Sequence, residues 1–360
     1  MKNLKRYFLL DIARGLAAFA VVIFHYRLFY DPNISSNLLI KKNLPYYEFL
    51  QLLYEFGFMA VQFFFVLSGF IFYDIYSKKI KYKKISFKNF FLLRFSRLYP
   101  LHFITLLIMV VVFFLFKSID MQFFNLGADI KHFFLNIFLI QEWGFKDFES
   151  FNSPSWSISI EILMYGIFFF VFSKNYNDWY VTIILIIISV PIFFVYKNIG
   201  YGGYCFFIGG LSCLFYNFIE KRNESKKFVF IFFSIFILSS SSISFIDYNF
   251  INKIIIYTFS FPSLILTLMF LQRIYLNLGK SVSLVGDISY SVYMIHFVVQ
   301  SIICFYLAKN GIKVDFDSNV FFLVYLMLIF LLSLITYKIY EKPLQTLIRN
   351  KFNLLKSNKN

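Results

Sequence analysis

The chain has 360 residues, of which 59% are hydrophobic and 15% charged, with a mean hydropathy of +0.70. A soluble domain is nearer half apolar and a quarter charged, so this composition excludes a disordered chain, a fibrous rod and an ordinary soluble enzyme. The net charge of +16 resides in lysines clustered between apolar runs, which argues against a nucleic-acid partner and for orientation in a lipid bilayer.

Ten apolar stretches, each helical by length, fall near 7–29, 56–76, 96–117, 158–173, 179–196, 201–217, 227–245, 254–272, 285–306 and 319–340. The predicted fold class is all-α: a polytopic membrane helix bundle of about ten transmembrane helices. An eleventh stretch, 130–141, is too short to span and reads as interfacial or re-entrant. The first stretch has the basic start (Lys2, Lys5, Arg6) and the Ala18-x-Ala20 of a secretory leader. Asp11 and Arg14 interrupt its apolar part, so it reads as a retained helix. With the N-terminus inside, the cytoplasmic segments hold most of the Lys and Arg, and the positive-inside rule predicts both termini cytoplasmic. The densest basic run, Lys78 to Lys88, then lies inside, and the long segment 118–157 lies outside. Residues 1–345 read as one transmembrane domain and 346–360 as a short basic cytoplasmic tail. Cys205, Cys213 and Cys304 have neither zinc nor disulfide spacing and read as small buried hydrophobes, and no metal site is predicted.

Charges within spans mark functional positions by default. Arg14 and His25 are 11 residues apart, about 20° past three full helical turns, so they share one face roughly 16 Å apart along the axis. Asp11, one turn below Arg14, is placed to pair with it. In the second span Ser68-Gly69 reads alone as a close-packing pair, and Gln62 can hydrogen-bond across helices. Arg94 and Arg97, three apart at the inner mouth of the third span, read either as a positive-inside anchor or as a clamp for the phosphates of a nucleotide-bearing donor. Ser157, Glu161 and Tyr165 form an i, i+4, i+8 stripe at the start of the fourth span, beside Trp156. Glu161 there orients a histidine, pairs with an arginine or binds hydroxyls. Ser289, Tyr293 and His296 line one side of the ninth span, where a lone histidine reads as a bundle residue. Tyr340-Glu-Lys-Pro343 reads as a helix end stopped by proline.

In order, Arg14-x10-His25, Phe63-Phe-Phe-Val-Leu-Ser-Gly69, Arg94-x2-Arg97-Leu-Tyr99-Pro100, Trp156-Ser-x-Ser-x-Glu161, Ser289-Tyr-Ser-x-Tyr293-x2-His296 and Glu341-x-Pro343 resemble the acyltransferase-3 family over residues 8 to 345. The family comprises integral-membrane acyltransferases, among them O-acetylases of bacterial surface polysaccharides. The resemblance implies about ten spans, a cytoplasmic acyl-CoA donor and an acceptor often outside, in the bacterial cytoplasmic membrane. It makes Arg14 and His25 the essential pair, and this chain looks like the form without an esterase-like domain. Position 62 is often acidic in the family and is Gln62 here.

The function so implied is transfer of an acyl group, acetyl by preference, from acetyl-CoA or another acyl-CoA co-substrate to a hydroxyl of a glycan acceptor, with no bound cofactor. His25 serves as base or, on a two-step path, as the nucleophile that carries the acyl group, Arg14 as oxyanion or phosphate partner held by Asp11, and Glu161 as orienting or acceptor-holding group. Arg94, Arg97 and Tyr99 form the donor set. Ser68, Trp156, Ser157, Tyr165, Tyr293 and His296 form the acceptor or supporting set. The competing readings are a glycan flippase or transporter, and acylation of peptidoglycan, a lipid or a small metabolite by the same family.

Overall fold

A computed structural model describes residues 6–30, 43–121, 127–149, 151–174, 176–222, 224–241, 250–352 and 354. Its α-helices in chain order are α1 (Phe8–Tyr26), α2 (Tyr47–Phe56), α3 (Ala60–Lys81), α4 (Phe87–Lys117), α5 (Ile130–Ile137), α6 (Trp156–Phe172), α7 (Asp178–Val195) and α8 (Lys197–Ile219). They continue as α9 (Ser225–Ser240), α10 (Phe250–Ile255), α11 (Phe261–Ile274), α12 (Leu284–Asp287), α13 (Ser289–Asn310), α14 (Asn319–Thr336) and α15 (Lys342–Lys351). No strand occurs among the described residues.

Nine helical stretches among the described residues are long and apolar enough to cross a membrane. The chain is an all-α, multi-pass membrane protein. Nine of the ten expected stretches meet this test. The other, 227–245, contains α9, whose 16 residues reach about 24 Å at 1.5 Å per residue, short of a roughly 30 Å hydrocarbon core. Residues 242–245 of that stretch lie outside the described ones, as do residues 353 and 355–360 of the expected tail and the N-terminal Lys2 and Lys5. The 130–141 stretch holds the eight-residue α5. The outward side chains of α7 and α14, such as Ile184, Ile187, Phe194, Leu323, Val324 and Met327, are exposed and apolar, as a lipid-facing surface requires.

The helices pack as two compact units interleaved along the chain. The first comprises Met1–Ala17, Val61–Ser86 and Glu161–Asp287; the second comprises Ala18–Ala60, Phe87–Ile160 and Ile288–Asn360.

In the first unit α3 and α8 meet backbone to backbone. A Cβ on Gly69 would stand 1.8 Å from Phe206 O, and one on Gly209 would stand 1.9 Å from Val66 O. Small residues at such a crossing replace the hydrophobic drive that lipid removes, because close packing then supplies the attraction. Beside it Phe72 stacks on Tyr165, with ring centroids 4.2 Å apart, and Tyr73 Oη lies 2.8 Å from Thr182 Oγ1. The start of α1 is fastened by Gln272, whose Oε1 accepts from Leu9 N at 2.9 Å, giving an orphan first-turn amide a partner.

The second unit has an apolar core of Leu28, Leu106, Met109, Val112, Phe116, Phe151, Phe297 and Val298. Pro100 lies inside α4. The carbonyls near it take hydroxyls from neighbouring helices: Tyr290 Oη donates to Leu98 O at 2.5 Å and Tyr340 Oη to Pro100 O at 3.2 Å. α13 ends at Gly311, whose φ of 62° is the left-handed turn glycine favours after a helix. Pro343 does not stop its helix, contrary to the sequence expectation. The chain passes through a π-helical turn, Tyr337–Glu341, and continues as α15. The wider turn accommodates the ring and missing N–H that would break an α-helix. The π turn Ile256–Ser260 before Pro262 follows the same pattern.

Candidate active site

In the first unit Asp11 and Arg14 pair as expected, Arg14 Nη2 lying 3.1 Å from Asp11 Oδ1. The same nitrogen donates to Gly286 O at 2.7 Å. Asp11 Oδ2 also takes Arg6 Nε at 2.8 Å, and Arg6 reaches Asp287 Oδ1 at 2.7 Å. The close approach is made by glycines: a Cβ on Gly15 would meet Val285 at 2.5 Å, and one on Gly286 would meet Asp11 O at 2.3 Å. Glu161 belongs to this unit with two of the predicted residues. Ser68 Oγ donates to its Oε1 at 2.8 Å, and Tyr165 Oη donates to the same oxygen. The two hydroxyls fix this carboxylate oxygen, and no cation pairs with Glu161 among the described residues. Gln62 is buried, and its Oε1 has no hydrogen-bond partner among the described residues. A cavity of about 320 Å³ is lined by Arg6, Tyr7, Tyr216, Glu220, Gln272 and Arg273 with Met269 and Leu276. Its arginines have carboxylates beside them, Arg273 lying 3.9 Å from Glu220.

The second unit holds the histidines. His25 Nδ1 is 3.0 Å from Val21 O and 3.2 Å from His296 Nε2. The two ring centroids are 5.0 Å apart. His296 is fully buried, and its Nδ1 is 3.1 Å from Val292 O. Gln300, one turn further along α13, donates Nε2 to His25 O at 2.9 Å. Tyr293 Oη bonds Ser157 Oγ at 2.7 Å and donates to Pro154 O at 2.8 Å. The second unit therefore brings His25, Ser157, Tyr293 and His296 into one set of contacts through α13. Among the described residues no three His, Cys, Asp or Glu side chains converge as metal ligands would.

Arg94 and Arg97 lie in this unit on α4, both part-buried. Tyr99 belongs to an aromatic ladder on the same helix, stacked on Phe95 at 4.3 Å and on Phe103 at 5.9 Å. Arg349 of α15 donates Nε to Ser96 Oγ at 3.2 Å.

The segment before α6 builds a polar crevice that the motifs do not reveal. Asn136, Gln141, Glu142, Lys146, Glu149, Ser153, Ser155 and Trp156 line it. Gln141 Nε2 donates to Ser155 O and Oγ, while its buried Oε1 has no hydrogen-bond partner among the described residues. Lys146 bonds Glu142 and Glu149, each at 2.5 Å. Burial works against its ammonium, but the two carboxylates outweigh that and hold its pKa above the ordinary lysine value. Nearby, Asp129 caps α5 and accepts from His132 N and Nδ1 at 2.7 and 2.8 Å. These hydrogen bonds hold its carboxyl below the usual range. Gln141, Glu142, Lys146 and Gln300 are the polar residues a motif search passes over. Gln300, at four residues after His296, was findable by helical spacing; the crevice residues carry no periodic signal.

A helix-only, multi-pass chain with intramembrane Arg, His and Glu defines a membrane protein with polar chemistry inside its spans. The profile of the acyltransferase-3 family, described as an acyltransferase domain, matches residues 8–338. The chain belongs to that family. It is 32% identical over 153 residues, 42% of this chain, to acyltransferase MdmB of Streptomyces mycarofaciens. It is 32% identical over 109 residues, 30% of this chain, to protein 2 in the picA locus of Rhizobium radiobacter. These matches cover 34% and 47% of the two relatives' own lengths. No solved structure matches the chain.

Proposed function

We propose that the protein is a membrane O-acyltransferase of the bacterial cytoplasmic membrane. It moves an acyl group, acetyl by preference, from cytoplasmic acyl-CoA to a hydroxyl of a surface polysaccharide or its lipid-linked precursor. The observation that carries this reading is the imidazole pair of His25 and His296, 3.2 Å apart within spanning helices. Polar groups held at such depth serve function by default, and in this family the histidine of the Arg-x10-His motif is the expected centre.

The reading assigns His25 as general base. Its imidazole takes the acceptor's hydroxyl proton while the oxygen attacks the thioester carbonyl. Collapse of the tetrahedral species breaks the C–S bond, and the proton passes from His25 to the leaving sulfur, releasing free CoA thiol. Arg14, held by Asp11, serves as the cation for the oxyanion or a donor phosphate. Arg94 and Arg97 take donor phosphates, with Tyr99 beside them. Trp156, Ser157 and Tyr293 support the acceptor side, and Glu161 with Ser68 and Tyr165 supplies a fixed carboxylate for hydroxyl recognition.

The test is mass spectrometry of surface glycans from cells with and without the gene, complemented by wild type or His25→Ala. The expected outcome is loss of one acetyl mass per repeat, restored by wild type and not by the variant. Loss of whole glycan with acylation intact would sink the transferase reading in favour of a flippase.

A further inference from the structure

We propose that His296 is the positioning residue that sets the tautomer of His25. The inference rests on the reading of His25 as the base. Carbonyl oxygens only accept hydrogen bonds. Val21 O at 3.0 Å therefore requires a proton on His25 Nδ1, and Val292 O at 3.1 Å requires one on His296 Nδ1. In the neutral pair His296 Nε2 is then a bare lone pair, and it faces His25 Nδ1 at 3.2 Å. The single Nδ1 proton of His25 is shared between a backbone carbonyl and an imidazole, and its Nε2 is left unprotonated. The opposite tautomer would set three lone pairs against one another at that spot.

The second histidine is itself held. Its ring is fully buried, and the neighbouring Tyr293 is pinned by Ser157 and Pro154. Gln300 ties the His25 carbonyl to the same helix at 2.9 Å. The ring of His25 and its backbone are thus both gripped by α13. When Nε2 takes the hydroxyl proton, the bond from Nδ1–H to His296 becomes charge-assisted and strengthens. A neutral imidazole does here what a carboxylate does in the serine-protease triad.

The experiment uses the full chain in proteoliposomes, labelled with nitrogen-15 at its histidines, with acetyl-CoA as the probe donor and envelope membranes as acceptor. The variants are His296→Phe, which keeps a ring but no acceptor, and His296→Gln, which keeps an acceptor oxygen. The His102 and His132 signals report whether each variant is folded. The wild-type spectrum should show His25 protonated at Nδ1 and bare at Nε2. His296→Phe should shift the Nδ1 signal and lower kcat by about tenfold or more, short of the roughly 10²- to 10⁴-fold carried by a general base, with KM for acetyl-CoA unchanged. His296→Gln should recover most of kcat. A His25 protonated at Nε2 in the wild type, or an unchanged kcat in His296→Phe, overturns the proposal. If His25→Ala retains transfer, the catalytic reading fails and the kinetic half of this proposal with it. The nitrogen spectrum still decides whether His296 sets the tautomer.

Discussion

Lys146 sits between Glu142 and Glu149 at 2.5 Å from each, with 23% of its side chain exposed. Its folded pKa is raised, so the sign of its linkage is set. The cluster contributes its full stability below the unfolded lysine value and loses it as pH rises through the folded value. The melting temperatures of wild type and Lys146→Met should differ by a constant amount from pH 7 to 9. The gap should close only above the ordinary lysine value of 10.5. A gap that already closes below pH 9 would show that the ion pairs do not hold this segment. At the same scale, Arg14 with Asp11 was legible from helical spacing alone, because an i, i+3 pair needs no tertiary knowledge. The His25–His296 contact was not. The two rings are 271 residues apart in sequence, and no spacing rule links one span to another.

Whole elements were easier to read than their joints. Apolar length located the spans because lipid requires it, whereas the crossing of α3 and α8 depends on which glycines face each other. Ser68-Gly69 signalled close packing, and the partner proved to be Phe206 beside Gly209. Gly69→Ala and Gly209→Ala should each lower stability by about 1–3 kcal/mol or more, since a methyl would overlap backbone that cannot give way. Gly166→Ala in α6 is the matched control, with nothing within 4 Å of an added Cβ. It should be neutral or slightly stabilising, because alanine favours helix. Thermal unfolding in detergent, followed by size-exclusion of the heated sample, separates the two classes. Equal losses in all three variants would refute the crossing as the cause.

For the whole molecule the open quantity is sidedness, which lysine asymmetry predicts. Lys84→Cys, after α3, should react with a membrane-impermeant maleimide only when the cytoplasmic face is open. Glu149→Cys, in the segment before α6, should react in intact cells. Cys205 and Cys213 are fully buried, so they add no background in a folded chain, and Cys304→Ala removes the part-buried third. Labelling of both sites from the same side would invalidate the assigned topology. Composition alone placed the chain in the membrane, and motif order placed it in its family. The polar crevice before α6 stayed hidden because Gln141, Glu142 and Lys146 follow no period and only folding gathers them.

The π turn at Tyr337–Glu341 makes chain length negotiable at one point of an otherwise rigid rod. A single-turn π bulge is an α-helix carrying one extra residue. Removing one residue there returns the turn to α geometry and leaves both flanks facing as before. Ser291 would keep its bond to Glu341, and Ser96 its bond to Arg349. The same deletion in the middle of α14 would rotate everything beyond it by about 100°. A single-residue deletion in the last span therefore has a tolerant address, in the turn that leads into the Glu341-x-Pro343 motif.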